Sequence, residues 1–333
     1  MNKIIIHYFN YFDKSIPVYF DSEYIKDTLD QLTTIIDLIR ENSDIVSKIN
    51  NKEILANESL YSSYIEGYES YLTTDMIING EIYAPASRAD KAVTNCYSAY
   101  NKMLEINDMS SINSIVKIWR KMIKSSMILY RNTRLLPVVV GNSKGIVHRG
   151  LPVVYVRKLM KDMIHTVDNF KSTENDKYNL LSGIVAHYLF TYIHPFLDGN
   201  GRTGRLYQQF IIHKNSGLEF YLPFSSGISE EKKFYYASFR KANVTGDINN
   251  ITELDISEFI KFNLYSIMTS LLKLYKSLKG DRDSIGIQFE DADIHIEYRN
   301  NKLEFCKELL NDNYMLTVYD SEQIIKVVGD NRS

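Results

Sequence analysis

The feature that most constrains this chain is an apolar helical repeat that runs into a glycine-rich turn and out into a second helix. Leu180, Leu181, Ile184, Val185, Tyr188, Leu189 and Tyr192 recur at helical spacing, so the segment is a helix and His194 sits at its end. It closes on Ile193-His194-Pro195-Phe196-Leu197-Asp198-Gly199-Asn200-Gly201-Arg202-Thr203-Gly204-Arg205. Pro195 and the Gly-Asn-Gly that follows force a turn, and residues 202–212 read as the next helix. A glycine turn opening a helix presents free backbone N–H groups and the positive end of the helix dipole, which is a seat for an anion. Arg202 and Arg205 are three apart, so both project from one face toward that anion. A polyphosphate fits this seat. Asp198 beside it supplies a hard oxygen ligand of the kind magnesium takes.

Gly199-x-Gly201-x-x-Gly204 also matches the dinucleotide-binding fingerprint. That fingerprint requires a preceding strand within a βαβ unit. The segment before it here is helical, so the Rossmann reading is set aside. A plain capped helix–turn–helix with a solvated arginine pair is the other alternative, and the run of His, Asp, Gly, Asn, Gly and two Arg argues against it.

This segment resembles the Fic motif, His-Pro-Phe-x-Asp/Glu-Gly-Asn-Gly-Arg-x-x-Arg, and matches it at every fixed position. The resemblance implies a mainly α fold, a Fic-type helical bundle, and transfer of AMP from ATP to a protein hydroxyl with Mg2+. On that basis His194 is the base and Asp198 the metal ligand. Gly199, Asn200, Gly201, Arg202, Thr203, Gly204 and Arg205 bind the nucleotide, with Asn200's side chain helping the backbone to hold phosphate. Tyr235-Tyr236 resembles the family's tyrosine pair near the adenine, and Glu231 stands where the family has a residue facing the nucleotide.

A second stretch gains meaning from the same resemblance. Residues 53–66 read as a helix stopped by Gly67. By itself Glu66 is a surface carboxylate at a helix end. In the family, a Ser/Thr-x-x-x-Glu-Gly/Asn motif on an inhibitory helix places its Glu against the second motif arginine. Ser62, Glu66 and Gly67 match it. A bidentate Glu66–Arg205 pair is then expected, charge-assisted and strong, occupying the arginine that would hold the γ-phosphate.

Elsewhere, residues 1–20 read as aromatic and irregular, with Pro17, and Asp21 or Ser22 caps a helix carrying Ile25, Leu29, Leu32, Ile36 and Ile39. Residues 73–85 read as a loop or small extended region, with Asn79-Gly80 as a turn signal. Helices are expected from Ser87, over 112–128 and after Leu151-Pro152. Residues 136–148 carry the best β-hairpin signal in the chain. The resemblance makes that hairpin a flap that docks the target protein over 138–148 by main-chain pairing. His148 reads as a loop residue, with a second-base role as the sharper alternative, and His187 as a packed core histidine. Residues 228–241 and 255–278 are helical, the latter closing the core. The expected organisation is an N-terminal region over 1–80 with the inhibitory helix, a catalytic core over 81–279 and an appendage over 280–333. In the appendage, 284–298 suggest strands, and 303–310 and 321–328 suggest short helices, as in a partial winged helix. No DNA binding is expected, since the groove-entering helix is missing.

Composition bounds the partners. Net charge is −2 over 333 residues, so no polybasic surface for nucleic acid or anionic lipid is implied. Two cysteines, Cys96 and Cys306, far apart and outside any CxxC, indicate neither zinc nor a disulfide framework and fit a cytoplasmic setting. No apolar run approaches a membrane span. The resemblance adds self-modification and homodimers as expected behaviours. Same-fold alternatives stay open: AMP removal, and γ-phosphate transfer as in Doc toxins, where a lysine replaces the residue that is Gly201 here. A nucleotide-sensing regulator is the alternative from another class.

Overall fold

A computed structural model describes residues 2–81, 86–106, 108–124, 132–142, 145–169, 176–242, 251–279, 284–289, 292–299 and 302–309. The chain divides into two compact units, residues 1–270 and 271–333.

The first surprise is at the start. Strands β1 (Lys3–Tyr11) and β2 (Lys14–Asp21) form an antiparallel hairpin where the sequence suggested irregular chain. The period-2 pattern is present: His7, Phe9 and Tyr11 are buried while Tyr8 and Asn10 face out, and Ile16, Val18 and Phe20 are buried on β2. Pro17 read as a breaker but sits opposite Tyr8 within β2. It is tolerated there because β5, the strand on the other side of β2, pairs only with Val18 and Tyr19.

Helix α1 (Ser22–Glu41) follows directly, capped by Asp21 accepting from the Glu23 N–H. After α2 (Ser43–Lys48) comes α3 (Asn51–Ile65). It is capped at its start by Asn50 and ended by Glu66, with Gly67 in the left-handed region at φ 83°. The expected loop over 73–85 contains a short helix, α4 (Thr74–Asn79). Thr73 caps it and Gly80 terminates it, so the Asn-Gly signal marked a helix end. Helix α5 (Arg88–Glu105) begins with a reciprocal capping box between Ser87 and Asp90. Helix α6 (Ile112–Met122) ends earlier than expected, and the rest of that expectation, 125–128, lies outside the described residues.

The hairpin signal is realised as β3 (Val139–Asn142) and β4 (Gly145–Arg149), antiparallel, with part of its turn, 143–144, outside the described residues. A short 3-10 turn, Val153–Tyr155, leads into α7 (Val156–Asn169). The centre of the fold is α8 (Asp176–Ile193). Every residue from 179 to 190 is buried, as expected of a helix apolar on all faces. It packs against α9 (Asn200–Ser216) across the turn at 194–199. Helices α10 (Ser225–Glu230) and α11 (Lys232–Ala242) follow, then β5 (Leu254–Asp255) and α12 (Ser257–Lys279).

Within the second unit the described residues form an antiparallel meander of β6 (Ser284–Phe289), β7 (Ala292–Arg299) and β8 (Lys302–Leu309). The helix expected over 303–310 is therefore a strand. Its sequence carries both spacings, Leu303/Phe305 for a strand and Leu303/Cys306/Leu309 for a helix, and pairing with β7 opposite Tyr298 and Ile296 selects the former. The helix expected over 321–328 lies outside the described residues. Among the described residues no helix is long and apolar enough to cross a membrane.

The N-terminal hairpin is joined to the centre of the fold. Phe9, fully buried, stacks on Tyr192 of α8 at 5.1 Å. Phe9→Ala should destabilise the chain by about 3–5 kcal/mol, the usual cost of removing a buried aromatic ring. Urea unfolding checks this; a change below about 1 kcal/mol would mean that the hairpin is not part of the cooperative core.

Candidate active site

The site is built at the junction of α8 and α9. Helix α8 ends at His194, which takes a left-handed backbone conformation at φ 53°, uncommon for a residue with a side chain. The carbonyls freed at this helix end are all partnered. Phe190 O accepts from His194 N at 3.0 Å, and Thr191 O from His194 Nδ1 at 3.2 Å. Tyr192 O accepts from His148 Nε2 at 2.9 Å. Ile193 O and His194 O accept from Arg134, at 3.4 and 2.7 Å.

This arrangement fixes the chemistry of His194. With Nδ1 donating to Thr191 O, the lone pair is on Nε2. Burial pushes the imidazole down to about 4; the bond to Thr191 opposes this, Arg134 adds to it, and Glu66 and Asp198 oppose it. His194 is therefore a neutral base at pH 7. His148 lies on strand β4, not in a loop. Its Nε2–H serves the helix end, and burial, with His194 nearby, holds it down at about 4.

The turn after His194 is locked from inside. Phe196 is buried and stacks on Trp119 of α6 at 4.2 Å. The Asn200 side chain bonds both the N–H and the carbonyl of Phe196, each at 2.9 Å. It is thus a brace for the loop, where the sequence suggested help in holding phosphate. Trp119 Nε1 donates to Asp198 O at 2.8 Å, and Asp198 Oδ1 accepts from Gly199 N at 2.6 Å. The other Asp198 oxygen is 4.0 Å from Arg202 Nη2, and the side chain is 37% exposed, open to the cleft.

Gly199, at φ 79°, caps α9, and no side chain takes the first N–H groups of that helix. Glu66 lies against this first turn of α9: a Cβ on Gly201 would meet Glu66 Oε1 at 2.2 Å. Arg202 is nearly buried, its guanidinium lies 4.9 Å from the centre of the Tyr68 ring, and its Nε has no partner among the described residues. An orphaned buried donor beside a helix N-terminus is a group that an anion could satisfy.

Arg205 is fully buried. Its Nη2 bonds Glu66 Oε1 at 2.7 Å and Ser62 O at 2.9 Å, and its Nε bonds Ser62 Oγ at 2.8 Å. The Glu66 contact is thus through one oxygen, and the bidentate partner is Ser62 instead. Burial acts to raise the Glu66 carboxyl, but Arg205, Arg202 and His194 together hold it below the usual carboxylate range. Its side chain is 31% exposed, so it reaches the pair from the solvent side. Gly67 ends α3 immediately beyond.

The remaining sequence candidates fall in different places. Tyr235 is buried. Arg205 Nη1 donates to its hydroxyl at 3.3 Å, leaving the Tyr235 O–H for His187 Nε2 at 3.0 Å and His187 Nδ1–H for Gln208 Oε1 at 2.7 Å. Tyr235 thus backs Arg205, and Tyr236 donates to Ile65 O at 3.1 Å. Thr203 is buried within α9. Gly204 faces α8, where a Cβ would meet Thr191 Oγ1 at 2.9 Å and His187 Cδ2 at 3.0 Å. Glu231 lies at the junction of α10 and α11, its carbonyl accepting from Phe234 and Tyr235.

Sequence reasoning missed Glu58. It is two turns before Glu66 on α3 and buried, and it accepts from Phe224 N, Ser225 N and Ser225 Oγ at 2.8, 2.9 and 2.6 Å. It ties α3 to the start of α10 and so sets the height of Ser62 and Glu66. The available signal was a carboxylate on the helix face that also carries Leu55 and Ser62.

Residues 101–212 match the sequence profile of the Fic/DOC family. The chain is 26% identical over 182 residues to "Protein adenylyltransferase fic-1" of Caenorhabditis elegans, covering 54% of this chain and 31% of the relative. It is 33% identical over 94 residues to the protein of the same name in Caenorhabditis briggsae, covering 28% and 17%. The chain thus spans less than a third of the length of these curated relatives. A crystal structure of a Fic family protein from Desulfovibrio desulfuricans superposes with TM-score 0.61 at 22% identity, over 78% of this chain and 76% of that one. Fic-1 residues 134–508 from C. elegans gives 0.57 at 20%, over 78% and 74%. These superpositions establish the Fic fold.

Four imidazoles are buried and neutral: His7, His148 and His194 are held near 4 and His187 near 3, in each case chiefly by burial. Their folded values lie below the ordinary 6.5, so the unfolded chain binds more protons between pH 6.5 and 4, and stability falls as pH drops through that window. Glu58, raised by burial, acts in the opposite sense with a single proton. The thermal midpoint should be flat above pH 7 and fall steadily below about 6.5. A midpoint unchanged down to pH 4.5 would contradict the buried, neutral assignment.

Proposed function

We propose, from the match of residues 101–212 to the Fic/DOC family profile and from the Fic fold, that this chain is a protein adenylyltransferase. It would transfer AMP from ATP to a Tyr, Thr or Ser hydroxyl, restrained by Glu66. The observation that carries the reading is the placement of a neutral His194, lone pair on Nε2, one turn before the glycine-led start of α9, against which the Glu66 carboxylate lies. The names of the curated relatives support the same activity.

In the active state the ATP phosphates would lie along the first N–H groups of α9. Arg202, with its orphaned Nε, would take the β-phosphate and Arg205 the γ-phosphate. Asp198 would hold Mg2+ together with the phosphate oxygens, since this ion needs only one or two carboxylates when the substrate supplies further ligands. Among the described residues no cluster of three acidic, histidine or cysteine side chains could hold a metal alone. Bound there, the ion would neutralise phosphate charge. His194 Nε2 accepts the proton of the target hydroxyl, the oxygen forms a bond to the α-phosphorus, the bond to the bridging oxygen breaks, and pyrophosphate leaves. Such positioning and charge neutralisation supply most of the catalysis in reactions of this class.

The target segment would be delivered by the β3–β4 hairpin through main-chain pairing, as strand-adding recognition does. Glu66 restrains the reaction by occupying Arg205 and the space over Gly201 at once. Self-modification follows where a hydroxyl of the chain reaches the same place.

With ATP labelled at the α-phosphate, Glu66→Gly should incorporate more label than wild type into itself and into proteins of a lysate. His194→Ala in that background should lose about 10²–10⁴ in rate with ATP binding retained, the usual worth of a general base. Arg205→Ala should stay inactive whether or not Glu66 is also replaced, since both act through one site. Incorporation from the γ-phosphate instead would overturn AMP transfer in favour of phosphorylation.

A further inference from the structure

Arg134 lies in the segment between α6 and β3, with only 3% of its surface exposed. Among the described residues it forms no ion pair. A buried cation of this kind is costly unless every donor is used. Here all three nitrogens donate to main-chain carbonyls. Nε donates to His194 O at 2.7 Å, Nη1 to Leu136 O at 3.1 Å, and Nη2 to Leu151 O and, at 3.4 Å, to Ile193 O. The Arg134 backbone N–H adds a bond to Pro195 O at 2.8 Å.

These partners belong to two structures. Ile193, His194 and Pro195 run from the end of α8 into the turn beyond it, with His194 in the left-handed region. Leu136 and Leu151 are the two feet of the β3–β4 hairpin, which are also tied by Gly150 N to Val138 O at 3.0 Å. His148 makes a second link from β4 to α8 through Tyr192 O. The positive charge sits at the negative end of the α8 dipole, where it is favoured. A lysine has the charge but lacks the planar fork that spans four carbonyls. Gly150 leaves the room: a Cβ there would meet Arg134 Nη2 at 2.9 Å and His194 Cβ at 3.4 Å.

We propose that Arg134 is a positioning residue that holds the catalytic turn at His194 and the two feet of the hairpin as one rigid unit. A target segment laid on the hairpin then arrives in register with His194 Nε2. The inference rests on the reading of His194 as base and of the hairpin as the target dock, but its geometric core does not.

The test uses the full chain with Glu66→Gly, alone and combined with Arg134→Lys, Arg134→Met or Gly150→Ala. Three quantities are read: hydrogen exchange of the hairpin and α8 amides, ATP affinity by calorimetry, and incorporation of α-labelled AMP. The His194 imidazole is also titrated by NMR. Charged or titratable groups acting on it are Arg134, His148, Glu66 and Asp198, of which Glu66 is absent in this background. Arg134→Lys should speed exchange in the hairpin but not in the body of α8, and lower kcat about 100-fold, the scale of an ångström-level misplacement. ATP affinity and the His194 midpoint should stay put. Arg134→Met should add an upward shift of that midpoint, because a neighbouring cation is gone. Gly150→Ala, which keeps every donor and the charge and crowds only the guanidinium, should give a weaker form of the lysine pattern. It decides the matter if Arg134→Met fails to fold. Hairpin exchange and kcat unchanged in both Arg134→Lys and Gly150→Ala would overturn the proposal, as would a loss spread evenly over the hairpin, α8 and ATP affinity. If no variant transfers label yet hairpin exchange rises selectively, the functional reading fails and the coupling stands.

Discussion

Arg205 places a guanidinium where no water reaches, and much of the site follows from the need to satisfy it. Ser62 takes two of its nitrogens, Tyr235 a third, and Glu66 supplies the only opposite charge in direct contact among the described residues. Removing one partner of such a pair leaves a buried charge uncompensated, at a typical cost of about 3–5 kcal/mol. An arrangement without Glu66 would leave Arg205 short of a counter-charge, and under the proposed function a phosphate of the nucleotide would supply it. Glu58 keeps this arrangement at the right height by fixing α3 to α10, and the Tyr235–His187–Gln208 chain holds Arg205 from behind.

The second organising element is the end of α8. A helix terminus inside a protein must find partners for its carbonyls. Here His194, His148 and Arg134 provide them, and in doing so they set the tautomer of the base, hold the hairpin and balance an uncommon backbone conformation. The loop beyond is rigid because Asn200 braces Phe196 and Trp119 covers both Phe196 and the Asp198 carbonyl. The arrangement separates duties. One end of the turn presents a base and the other an anion seat, with no shared side chain between them.

Much of this was legible in the sequence because it is local. The helix–turn–helix over 180–212, the end of α3 at Gly67 and the β3–β4 hairpin each announce themselves by spacing or by a turn signal. Ser62 and Glu66 were legible only through the resemblance, since a carboxylate at a helix end carries no distinctive pattern. What stayed hidden is non-local. Arg134 binds main-chain carbonyls, which have no sequence signature, and Glu58 pairs with amides 166 and 167 residues away. Asn200 looked like a ligand residue because it lies in a phosphate-type loop, yet its geometry is that of a brace. The hairpin β1–β2 was obscured by Pro17, harmless where the neighbouring strand is only two residues long. The strand at 302–309 was ambiguous between two periods that only pairing could resolve.

Under the proposed function, Glu66 and the terminal phosphate of the nucleotide compete for one place on Arg205 and α9. Calorimetry of ATP and of ADP, each with magnesium, on wild type and on Glu66→Gly tests that competition. ADP lacks the γ-phosphate that would meet Arg205. Releasing Glu66 should raise the preference for ATP over ADP by about tenfold or more, the worth of a charged hydrogen bond. Equal gains for both nucleotides, or none, would contradict it.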